Sequence, residues 1–126
     1  MRKSYCAATV LLAAVGFVFS AARADDAEDK PPKHTIKEVM KKAHKDGLMK
    51  KLAIGEGTKE EAQELLELYE ALGQNKPPKG EPGSWQEKTG ELVAAAQEVV
   101  DGKDGAGNRL RKAADCMGCH KMHKGK

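Results

Sequence analysis

Three times along this chain a hydroxyl residue is followed, three places later, by a glutamate: Thr35-x-x-Glu38, Thr58-x-x-Glu61 and Ser84-x-x-Glu87. The spacing is that of a capping box, in which the hydroxyl accepts from the third helical amide and the carboxylate reaches back to the amide of the cap. Each match opens a stretch with helical periodicity. No stretch alternates apolar and polar residues well enough for a strand. The chain is expected to be all-α.

Four amphipathic helices follow from the periodicity. The first is expected over 36–54, with Ile36, Val39, Met40, Ala43 and Gly47 on one side at about 100° per residue. The second is expected over 59–72, with Ala62, Leu65, Leu66 and Tyr69 inward and Gly73 as its stop. The third, over 85–100, turns Trp85, Thr89, Leu92, Ala96, Val99 and Val100 inward. The fourth, over 108–123, carries Leu110, Ala113, Ala114 and Met117. The prolines and glycines of residues 75–83 and the DGKDGAG run at 101–107 break the chain between them. Four such helices on short loops predict an antiparallel four-helix bundle. KPPK occurs twice, at 30–33 and 76–79, each time ahead of a helix, and reads as linker chemistry rather than a domain repeat.

The first 24 residues read as a cleaved export leader. Arg2 and Lys3 precede an apolar run, and Ala22-Arg23-Ala24 has the small-x-small form of a cleavage site. The apolar run is about 14 residues, short of the roughly 20 that a membrane span needs. Residues 25–34 are acidic, then broken by proline, and are expected to be a flexible lead-in to a domain over 35–126. Losing Arg2, Lys3 and Arg23 takes the 22 basic residues to 19, equal to the 19 acidic ones, so the basic balance of the whole chain argues for no nucleic-acid partner. Tyr5, Phe17, Phe19 and Cys6 leave too. Tyr69 and Trp85 are then the remaining aromatics, and Cys116 and Cys119 the remaining thiols. A core of Ala, Leu and Val without Phe is thin for a small domain, which implies a staple or a cofactor.

The sequence supplies a candidate for that cofactor in Cys116-Met117-Gly118-Cys119-His120. Cys-x-x-Cys-His is the attachment sequence for haem c. On a helix, residues three apart differ by about 300°, so both thiols share a face and can each add to one haem vinyl group. His120 follows as the proximal iron ligand. A haem plate would fill the space that Phe fills elsewhere. The competing readings are a disulfide, a thioredoxin-like dithiol, and a zinc site built from Cys116, Cys119, His120 and His123. The dithiol lacks the βαβ setting it expects, the zinc ligands would crowd one helix, and a disulfide leaves the adjacent histidine unexplained.

With CMGCHKMHK in the last helix, VMKKAHKDGLMKKLAIGEG in the first and SW opening the third, the chain resembles the class II cytochromes c: cytochrome c-prime and its low-spin, methionine-ligated relatives. The resemblance covers nearly the whole chain after the leader. The chain departs from it in a trimmed second helix and middle loop, and in His123, where an aromatic is usual. It implies a periplasmic bundle with one covalent haem. Met40 of VMKK takes the place of the distal methionine, or of the apolar non-ligating residue of the c-prime branch. Ala43 and Gly47 on the same expected face leave room beside it. His44, one turn on, is the alternative ligand, and an open sixth site is the third. Met49 falls on the opposite face, Met122 and His123 share a helix with His120, and His34 precedes the first helix, so none of these is expected to ligate. Lys124 has the family's basic slot, where it would pair with a haem propionate. The resemblance allows a homodimer through the first two helices, against which the lysines of the first helix argue.

Electron transfer is the expected function, with redox partner proteins steered by lysines if these ring the haem edge. The alternatives are a five-coordinate protein that binds nitric oxide or carbon monoxide, and a haem-free helical scaffold held by a disulfide or a metal. No nucleophile–base pair or pair of acids points to hydrolysis, so no enzyme activity is expected.

Overall fold

The computed structural model describes residues 31–125, and every regular element among them is helical. The expected leader (1–24) and residues 25–30 of the lead-in lie outside the described residues. The chain runs α1 (Ile36–Val39), a π-helical turn (Met40–Lys45), α2 (Leu48–Ala53), α3 (Lys59–Gln74), α4 (Pro82–Val100), α5 (Ala106–Ala113) and α6 (Cys116–His123).

Two of the three capping boxes form. Glu38 accepts from the Thr35 amide at 2.8 Å while Thr35 Oγ1 accepts from the Glu38 amide at 3.2 Å, which starts α1. Thr58 and Glu61 repeat the exchange at 2.8 and 3.1 Å at the head of α3. The third box does not form, because α4 begins earlier. Pro82 takes the first turn, where its fixed φ suits a helix and its missing N–H costs nothing, and Glu81 is the cap.

The first expected helix is two helices. Over Met40–Lys45 the backbone widens, and the Asp46 amide donates to the Lys41 carbonyl five residues back at 2.8 Å. The extra residue in that turn takes Gly47 out of the 100° register. Gly47 closes the segment at φ +83°, a conformation that costs glycine little and other residues more. It is therefore a break between α1 and α2, not part of an inward stripe, while Val39 and Ala43 are buried as expected.

The last expected helix also divides. Ala114 leaves the helical backbone, and Asp115 caps afresh, its Oδ1 accepting from the Gly118 amide at 3.0 Å. The cysteine motif therefore opens a helix of its own, and Met117 on it is exposed. Gly73 does not stop α3, which continues through Gln74; a β-carbon at Gly73 would stand 3.2 Å from Thr89 Oγ1, so the glycine lets α3 lie close on α4.

Polar contacts fix the directions. Gln86 Nε2 donates to the Gly73 carbonyl at 2.9 Å, and Ala62 and Val99 line one cleft at the other end, so α3 and α4 are antiparallel. The two halves α5 and α6 run back along α4: Arg109 pairs with Glu98 near one end, and His123 meets Ser84 at the other. The segment from α1 to α2 is antiparallel to α3. Asn75 Nδ2 donates to the His34 carbonyl at 2.8 Å at one end, and Lys51 pairs with Glu61 at 2.6 Å at the other. Between the helices lie Val39, Leu65, Tyr69, Leu72, Leu92 and Leu110, all buried. Each such aliphatic side chain stabilises the fold by roughly 1.5–3 kcal/mol on burial. Among the described residues, no helix is long and apolar enough to cross a membrane.

Candidate functional site

Helix α6 presents the cysteine motif at its first turn. Cys116 is exposed, with Sγ 3.6 Å from the Ala114 carbonyl. Cys119, one turn on, is half-buried against the core. Burial pushes the Cys119 thiol up, the nearby Lys88 opposing the shift. Both cysteines are free thiols, so the pair forms no disulfide. Among the described residues, no group of three or more His, Cys, Asp or Glu side chains converges to hold a metal ion. The four-ligand zinc arrangement on α6 is therefore not assembled. Its fourth member, His123, is turned elsewhere.

The facing wall comes from the π-helical turn. Met40 and His44 both lie on it and are partly buried. The His44 ring leans on Tyr69, centroids 5.8 Å apart and planes at 32°. Burial, then the neighbouring His120, holds the His44 imidazole below its ordinary pKa. Its Nδ1 is buried without a hydrogen-bond partner, as is the Tyr69 hydroxyl. Unpaired buried polar atoms are uncommon and costly, and two neighbouring side chains supply them here.

Two cavities meet at these walls. Met40, His44, Cys119 and His120 line both. The smaller, of about 80 Å³, adds Cys116 and the apolar floor of Leu72 and Leu92. The larger, of about 660 Å³, adds Ile36, Pro78 and Trp85. That volume lies within the range of small-molecule and cofactor sites, roughly 300–1,000 Å³. The fold thus brings together every residue singled out in sequence for the site: Cys116, Cys119, His120, Met40 and His44. Met49 lines neither cavity and packs on the core instead.

Sequence reasoning missed how the site is held. His123 is buried, with Nδ1 3.0 Å from the Lys79 carbonyl and Nε2 3.1 Å from Ser84 Oγ. A carbonyl only accepts, so Nδ1 carries a proton. Trp85 Nε1 donates to the Asn75 carbonyl at 2.8 Å, and its indole stands against the His123 ring. Gly80 makes the latch feasible. Its φ is +89°, and a β-carbon there would come within 2.6 Å of both His123 Nδ1 and the Met122 carbonyl. The departure of His123 from the expected aromatic was the only sign of this in the sequence. Lys37 and Lys76, which also reach the larger cavity, carried no signal at all.

No protein-family model, no curated protein and no solved structure matches this chain.

Proposed function

We propose that this chain is a monohaem c-type cytochrome that carries electrons between redox partner proteins outside the cytoplasm. On this reading its antiparallel rods, interrupted at Gly47 and Ala114, are an up-down-up-down four-helix bundle around one covalent haem, as in the class II cytochromes c. The observation that carries the reading is the convergence of Met40 and His44 with Cys119 and His120 on the same two cavities, from opposite ends of the sequence.

The residues fit the group. The donor set is two free thiols, an imidazole and a thioether, with a second imidazole beside them. The cavity floor is aliphatic, and the buried Nδ1 of His44, a lining residue, lacks a partner. Cys116 and Cys119 would hold the haem as thioethers, and His120 would be the proximal ligand. Met40 would take the far side. Haem supplies one-electron exchange between Fe(III) and Fe(II), with a potential that a His/Met ligand pair raises. The chain's own part is to exclude water with Leu72, Leu92 and Trp85 and to keep the ligating side chains in register. His44 is the competing ligand, favoured by its buried, unpartnered Nδ1 and by the depressed pKa that keeps its ring neutral.

The test is the mass of the chain made in a host with c-type haem maturation and then denatured. The expected result is one haem retained per chain, lost in Cys116→Ser/Cys119→Ser. A chain without haem, alongside a control cytochrome that matures, overturns the proposal.

A further inference from the structure

The first expected helix is rich in lysine, and the fold selects among these residues. Lys37 and Lys45 line the larger cavity, while Lys41 and Lys42 from the same stretch do not. Lys76, from the loop before α4, and Lys124, just past α6, join them. Three separate segments therefore bring four lysines to one cavity, all four exposed residues. Among the described residues, no aspartate or glutamate lines it. Two lysines elsewhere have acidic partners, in the pairs Lys33–Glu67 and Lys51–Glu61. Among the described residues, none of the four cavity lysines has such a partner. Like charges gathered without counter-charge raise one another's energy, and an anion bound among them removes that cost.

The space beneath is apolar, with Ile36, Met40, Pro78 and Trp85 on its walls. A ligand that suits both features has a broad apolar body and carboxylates at its edge. We propose that the larger cavity recognises a planar tetrapyrrole by its carboxylates, with Lys37, Lys45, Lys76 and Lys124 as the anion-reading rim, and that it does so before and independently of any thioether. The proposal rests on the haem reading for the body of the ligand. It adds the rim, and a non-covalent capture step that orients the ligand.

The experiment uses the full chain carrying Cys116→Ser/Cys119→Ser, so that nothing attaches covalently. Haemin and haemin dimethyl ester are titrated in turn, and quenching of Trp85, the one tryptophan in the sequence, reports binding. Ligation by His120 or Met40 is common to both probes, so the difference between them isolates the carboxylates. Haemin is expected to bind about tenfold tighter than the ester, the advantage that a few exposed ion pairs together supply. The advantage should shrink with added salt. It should vanish in a chain also carrying K37Q, K45Q, K76Q and K124Q, with helicity by circular dichroism unchanged. Equal affinity for the two probes in the lysine-bearing chain overturns the rim. So does an advantage that survives the four substitutions, or failure of haemin to bind. The covalent haem reading stands or falls separately, on haem retained by the denatured chain with both cysteines present.

Discussion

The His123 ring stands edge-on to the Trp85 indole, centroids 5.3 Å apart and planes at 72°, and so ties the last turn of the cysteine-bearing helix to the start of α4. Its two ring nitrogens meet the Lys79 carbonyl and the Ser84 hydroxyl. An aromatic here would pack, but it would not make those bonds. His123→Ala is expected to destabilise the unloaded chain by about 2–4 kcal/mol, through lost ring packing and two lost hydrogen bonds. His123→Phe keeps the ring contact and is expected to cost about 1–2 kcal/mol. Denaturant unfolding of the two variants measures both, and a His123→Phe variant as stable as the unsubstituted chain would show that the hydrogen bonds contribute nothing.

Gly80 is the other half of that latch. Its positive φ and the closeness of His123 and the Met122 carbonyl leave no room for a side chain. Gly80→Ala should cost roughly 1–3 kcal/mol, from backbone strain and displacement of the ring. Combined with His123→Ala, which empties part of that space, it should cost less than the sum of the two singles. Strict additivity would mean the two residues do not share a contact.

The Tyr69 hydroxyl is buried with no partner. Removing an unsatisfied hydroxyl while keeping the ring relieves a desolvation cost. Tyr69→Phe is expected to stabilise the unloaded chain by about 1 kcal/mol. A destabilised variant would reveal a partner for the hydroxyl.

Glu61 links a cap to an ion pair. Its bond to Lys51, and then the Thr58 amide, hold its carboxyl below the ordinary range. The folded pKa is below the unfolded one, so this contribution is complete above the unfolded value of 4.5 and is lost as pH falls through the folded value. The stability gap between the unsubstituted chain and Glu61→Gln should therefore narrow on acidification below pH 4.5. Unfolding midpoints across that range check the sign, and a widening gap contradicts it.

What could be read from sequence was whatever depends on neighbours along the chain. The Thr35 and Thr58 boxes, the inward face of α3, and the spacing of Cys116, Cys119 and His120 are local patterns, and each is where it was expected. The Ser84 box failed because Pro82 offered an earlier start, and Ser84 then became a partner for His123. The break at Gly47 was hidden because one extra residue in a π turn leaves the apolar spacing before it intact. The break at Ala114 was hidden because alanine favours helix, and only the Asp115 cap betrays a new start. The latch at His123 and the lysines at the larger cavity arise from residues far apart in the chain. No single-segment pattern contains them.

The central claim is that Met40, His44 and the cysteine motif enclose one haem, with Met40 opposite His120. The most direct test is the absorption spectrum of the matured protein, ferric and dithionite-reduced, beside Met40→Ala and His44→Ala. The account predicts a Soret band with sharp low-spin ferrous α and β bands, converted to a high-spin spectrum by Met40→Ala and unchanged by His44→Ala. A spectrum that survives Met40→Ala but turns high-spin with His44→Ala would move the ligand to His44. Broad high-spin bands in the unsubstituted protein would mean an open iron and contradict electron transfer through a saturated centre. No Soret band at all would contradict the haem cradle itself.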